Sequence, residues 1–139
     1  MRQIIIHNMR NRIEAYADLI TEIDASNLTA KLAVPKDKSI AEHLWCIVGS
    51  RESYAKALLA GQWQGFSCSM TQYTLNDFVS ALNASADLVL AAIRNINEWS
   101  PERDQLLAAL AEHEMMHEGQ IIRHMYGLGR TLPASWKWA

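Results

Sequence analysis

Residues 113–117 read His-Glu-Met-Met-His. Two imidazoles four positions apart on an α-helix lie one turn apart on the same face, the spacing at which both reach one metal ion. With a glutamate directly after the first histidine, the run matches HExxH, a pattern that supplies two zinc ligands, His113 and His117, and a general base, Glu114. Catalytic zinc takes three protein ligands and keeps an open position for water. The chemistry therefore turns on where a third ligand lies.

The sequence after the run does not supply it. In one zincin branch the motif extends to HExxHxxGxxH. Here Gly119 comes one residue early for that register and His124 one residue late. In another branch the third ligand is a downstream glutamate, but no Asp or Glu follows Glu118. His124 lies about 10 Å along the helix from His117, too far for the same ion. A metallopeptidase is the least supported reading of the run.

The elements that must position these residues follow from apolar periodicity. A first helix is predicted from Arg2 to Asp24, with Ile5, Met9, Ile13, Tyr16, Ile20 and Ile23 on its inner face. A second runs from Ser39 to near Gly61, opened by a Ser39/Glu42 capping box and stopped by the glycine. A third starts at the cap Thr74 and carries Leu75, Phe78, Leu82, Val89, Ile93 and Ile96. A fourth starts at Ser100-Pro101, cap then proline, and runs to Gly127–Gly129 with Leu106, Leu110, His113, His117 and Ile121 inward. No segment alternates as a strand would, so the predicted architecture is all-α, a single-domain four-helix bundle over residues 1–139. The short Asn97–Ser100 link predicts that helices three and four are antiparallel neighbours. The longer Gly61–Tyr73 link has room to cross the bundle end and leave helices two and three parallel, an up-down-down-up order.

Facing helices of a bundle commonly build metal sites from inward side chains. His43, in the first turn of helix two, can therefore supply the missing imidazole. A lone histidine on an apolar face is more often a hydrogen-bonded core or surface residue. Three on inward faces shift the balance, because burying three unpaired imidazoles is costly. Around them, Gln120 is a candidate ligand-facing group and Arg51 and Arg123 candidate carboxylate contacts. Cys46 sits one turn from His43 and is read as a buried thiol. Trp45, Trp63, Met115 and Met116 are read as packing residues, and Glu114 as less inward than the histidines.

Ser39-Ile40-Ala41-Glu42-His43-Leu44 resembles the start of the second helix of the DinB-like (YfiT-like) family. His113-Glu114-Met115-Met116-His117-Glu118-Gly119-Gln120-Ile121 resembles its fourth-helix signature of HxxxH, one variable residue, then Gly-Gln and an apolar residue. The ending Leu128-Gly129…Leu132-Pro133 is similar too. The resemblance covers nearly the whole chain. It implies a four-helix bundle, often a homodimer, in which His43, His113 and His117 bind a divalent metal such as zinc or nickel. It also implies a thiol-dependent S-transferase or isomerase acting on a small-molecule substrate with a low-molecular-weight thiol cosubstrate. The family pattern does not require the glutamate, so Glu114 is incidental to it. The stretch between helices three and four is shorter here than in many members.

Composition narrows the alternatives. The 139 residues are 50% hydrophobic and 20% charged, which suits one globular domain. A net charge of -2 with scattered basic residues gives no phosphate-tracking stripe, so no nucleic-acid partner is expected. No apolar stretch approaches the roughly 20 residues that span a bilayer, so no membrane partner is expected. The opening MRQIIIHNMRNR is not a secretion signal. Cys46 and Cys68 make no disulfide framework, and a cytoplasmic protein with reduced thiols is expected.

Overall fold

The computed structural model describes all 139 residues and is entirely helical: α1 (Arg2–Thr21), α2 (Ala25–Thr29), α3 (Ile40–Ala60), α4 (Leu75–Asn95) and α5 (Pro101–Gly127). The long helices start where local chemistry says they should. Ser39 and Glu42 close a reciprocal capping box on α3, and Thr74 and Asp77 close one on α4. Ser100 caps α5 ahead of Pro101. α3 ends at Gly61, whose left-handed backbone (φ 77°) suits a residue without Cβ.

α1 stops at Thr21, short of the predicted Asp24. Asp24 instead caps the separate turn α2 by accepting a hydrogen bond from the Asn27 amide. Leu28 of α2 is buried in the same cluster as Leu44, Ile47 and Ile121, so a tertiary contact sustains five residues that have little helical drive alone.

Side-chain pairs give the helix directions. Ser50 of α3 meets His113 of α5, Arg51 meets Glu114, and the Leu58 carbonyl accepts from Arg103, so α3 and α5 run in opposite directions. Arg2 pairs with Asp104 and Arg12 with Glu118, so α1 and α5 run the same way. The first halves of α3 and α4 share one apolar cluster (Leu44, Ile47, Phe78, Leu82) and their second halves another (Ala55, Leu58, Val89, Ala92). These two helices are therefore parallel. The close backbone contacts join α3 to α4 and α5, and α1 to α4 and α5. α4 and α5 are not close-packed neighbours, contrary to the expectation from their short link.

The 62–73 segment explains how α3 and α4 come to be parallel. It runs back along α3 instead of merely crossing the end. The Ser67 amide donates to Ser53 Oγ, the Ser69 amide to Glu52, and Met70 is buried against the core. Phe66 lies directly over Gly49, where a Cβ would also meet Cys68 Cβ at 2.9 Å.

One side chain ties the long helices together. Arg51 is fully buried and donates from Nε and Nη2 to both oxygens of Glu114, at 2.7 and 2.9 Å. Its Nη1 approaches the Leu82 carbonyl of α4 at 3.4 Å, and its guanidinium lies 5.0 Å from the Tyr16 ring centroid of α1. Arg51 is thus not the solvated residue its charge suggests, and α1, α3, α4 and α5 all contact it.

Glu114→Ala leaves a buried guanidinium without its counterion, and a loss of about 3–5 kcal/mol in denaturant unfolding is expected. Gly49→Ala forces Phe66 off α3 and is expected to cost about 1–3 kcal/mol in the same measurement.

Candidate functional site

His43 projects from the first turn of α3, and His113 and His117 from successive turns of α5. Antiparallel packing of these helices brings the three imidazoles together. His43 Nδ1 and His117 Nδ1 are 3.0 Å apart, and the His113 and His117 ring centroids are separated by 4.5 Å. His43 and His117 are buried, and His113 is half-buried. All three line a cavity of about 1040 Å³, which opens between the second half of α5 and the 32–38 loop.

The polar partners of the three rings differ. His43 and His117 hydrogen-bond each other, so one Nδ1 carries the proton and the other accepts. His113 Nε2 lies 3.0 Å from the hydroxyl of Ser50, itself buried, while His113 Nδ1 is buried with no partner at all. No three His, Cys, Asp or Glu side chains already converge in the arrangement of a metal site. The donor set nevertheless suits one. Two nitrogens bound to the same zinc at about 2.0–2.1 Å stand roughly 3.3 Å apart in tetrahedral geometry, close to the His43–His117 separation. The unpartnered His113 nitrogen is the kind of buried polar atom that a ligand would satisfy.

Burial depresses the basicity of all three rings. His117 falls to about 3, chiefly through burial and then through its neighbours His113 and His43. His43 and His113 are lowered too, burial first, with the Lys38 ammonium adding to it. The rings are therefore neutral at pH 7, the state in which an imidazole nitrogen can ligate a metal.

Glu114 lies elsewhere. It is fully buried, more inward than His113, contrary to the expectation from helix phase. It does not line the cavity, and both its oxygens are engaged by Arg51. A fully buried carboxylate outside the cavity lining cannot reach a molecule in the cavity, which removes the physical basis for a general-base role. Glu118, four residues on, was not singled out from the sequence. It is 1% exposed, pairs with Arg12 through one oxygen and leaves Oε1 without a partner. Burial raises its carboxyl to about 7 against the pull of Arg12. Helix phase could have indicated it, since 114, 118, 121 and 125 share one inward face of α5.

The remaining candidates divide. Gln120, Arg123, Cys46 and Met116 line the cavity. Met115 and Met116 are half exposed and are not core packing. Trp45 packs on Phe66 and Trp63 on Tyr54, and neither lines the cavity. His124 lines the cavity but is otherwise engaged: Nε2 must donate to the Ala30 carbonyl (3.0 Å), and Nδ1 faces Asp37 at 3.5 Å. It fastens the 30–38 loop to α5.

The shifts fix the sign of a pH dependence for metal-free protein. Below the ordinary histidine value of about 6.5 the unfolded chain binds protons that the folded rings refuse, so stability rises with pH up to that point. Glu118 acts in the opposite sense: the folded carboxyl keeps its proton up to about 7, so its contribution falls as pH climbs above the ordinary value of about 4.3. Three rings outweigh one carboxyl, and the denaturation midpoint is expected to rise from pH 4.5 to 6.5. Glu118→Gln is expected to steepen that rise.

No protein-family model matches the chain, and no curated protein matches it either.

Proposed function

We propose that the protein is a divalent-metal-dependent enzyme of the DinB-like type, with His43, His113 and His117 as the metal ligands. On this reading it is a four-helix bundle of up-down-down-up order, with α2 an appended turn. The antiparallel α3–α5 pairs, the parallel α1–α5 pairs and the returning 62–73 segment support that topology. The observation that carries the metal assignment is the cluster of three neutral imidazoles at the floor of a large cavity, one with a buried nitrogen and no partner.

The reaction proposed is transfer of a low-molecular-weight thiol to a small electrophile, in a cytoplasmic homodimer. A zinc or nickel ion in the site would lower the pKa of a thiol or water and make the nucleophile available at neutral pH. The chain's own residues would do the rest. Ser50, accepting from His113 Nε2–H, would fix the tautomer that presents Nδ1 as a lone pair, the orienting role that a ligand histidine's second nitrogen commonly plays. His43 and His117 would give up their mutual hydrogen bond. The histidine floor leaves the cavity open on one side, so a thiol and its acceptor can approach together.

The direct His43–His117 hydrogen bond favours a second reading, a non-catalytic bundle whose histidines are partly satisfied by one another. A metallopeptidase is disfavoured, because Glu114 is sealed against Arg51.

Protein purified without chelators is expected to carry about one divalent metal per chain by elemental analysis, since three protein ligands suffice for a catalytic site. His113→Ala is expected to lose that metal while remaining folded. Full metal content in His113→Ala would remove it from the ligand set. A thiol panel against reactive electrophiles then separates the two readings, turnover supporting the enzyme and no turnover with any thiol supporting the non-catalytic bundle.

A further inference from the structure

The cavity wall carries a charge pattern that the metal reading does not explain. Lys36, Lys38 and Arg123 line it, against one carboxylate, Asp37. Both oxygens of Asp37 are already directed at the protein: Oδ2 accepts from the Leu32 amide at 2.7 Å, and Oδ1 faces His124. None of the three cations lies within ion-pair distance of a carboxylate, although Asp37 sits between two of them in the chain. This cationic wall belongs to a chain whose net charge is -2.

Two further observations bear on it. Only 5 of the 17 lining residues are hydrophobic, so most of the side chains around the cavity can meet a polar occupant. Lys36 is the only non-glycine residue with positive φ (59°), in a loop pinned at both sides by Asp37 and His124. A left-handed lysine costs backbone energy that the surrounding contacts hold in place.

We infer that the cavity binds a small, multiply charged anion bearing carboxylate or phosphate groups, held by Lys38 and Arg123 above the histidine floor. The inference builds on the reading of this cavity as the functional site and specifies the chemistry of its ligand. Lys38 and Arg123 line the same cavity as all three histidines. An anion there would replace the missing counterions of the wall, and charge-assisted hydrogen bonds to Lys and Arg are the strong ones. The size of the cavity confines the ligand to metabolite dimensions.

The test is calorimetric titration of the full chain, chelator-treated, with succinate and separately with inorganic phosphate at low ionic strength. At least one is expected to bind saturably, and the tighter identifies the anionic group recognised. Loss of two charged contacts in Lys38→Gln/Arg123→Gln is expected to weaken binding about tenfold or more. Arg10→Gln/Arg94→Gln, with the same charge change away from the cavity, is expected to leave binding unaltered. All four side chains are exposed, so the variants should fold. Binding of neither anion overturns the inference, as does equal binding in the Lys38/Arg123 variant. Because these titrations use metal-free protein, failure of the metal assignment appears separately, as absence of metal from untreated protein.

Discussion

The buried Arg51–Glu114 pair is the constraint on which the arrangement of the long helices depends. A guanidinium with no solvent access must have its charge balanced and its donors directed, and four helices contribute to that environment. Such a pair adds little net stability compared with apolar packing of the same volume. Its effect is on geometry. Two parallel hydrogen bonds admit one relative rotation and one register of α3 against α5, where apolar side chains would tolerate several.

That register sets the histidine cluster. Ser50 and Arg51 are consecutive on α3, and His113 and Glu114 are consecutive on α5. The two contacts, Ser50–His113 and Arg51–Glu114, therefore form as neighbours across one interface. Consecutive helical residues point about 100° apart. Holding Glu114 toward Arg51 turns His113 and His117 toward the start of α3, where His43 waits, and toward the cavity. The glutamate of the HExxH run thus has a definite task, to orient the helix that carries the histidines.

Much of this was legible in the sequence where the cause is local. The Ser39/Glu42 capping box, the Thr74 and Ser100 caps and the Gly61 stop fix helix ends through residues a turn apart. The juxtaposition of His43 with His113 and His117 followed from placing them on inward faces. What was not legible depends on distant partners. The hydropathy of Glu114 and Arg51 suggests solvent, and nothing within a helical turn reveals that they neutralise each other across 63 positions. The inner face of α5 drawn through Leu106, Leu110, His113, His117 and Ile121 leaves out Glu118. The 62–73 segment has no periodicity, so its return along α3 is decided by the space at Gly49 and the hydroxyl of Ser53. The same return keeps α4 against α3 and leaves the short link to α5 joining helices that are not close-packed.

The cavity combines features that serve one another: neutral imidazoles, a wall of cations without counterions, and a loop fastened by Asp37 and His124. Neutral nitrogen donors leave a bound cation's charge uncompensated, which favours an anionic ligand beside it. The most direct test of the account is X-ray absorption spectroscopy at the metal edge of protein purified without chelators. The account predicts a divalent metal with three imidazole ligands and at least one exchangeable light-atom ligand. A folded protein with no metal, or a metal whose spectrum lacks imidazole scattering, would contradict it.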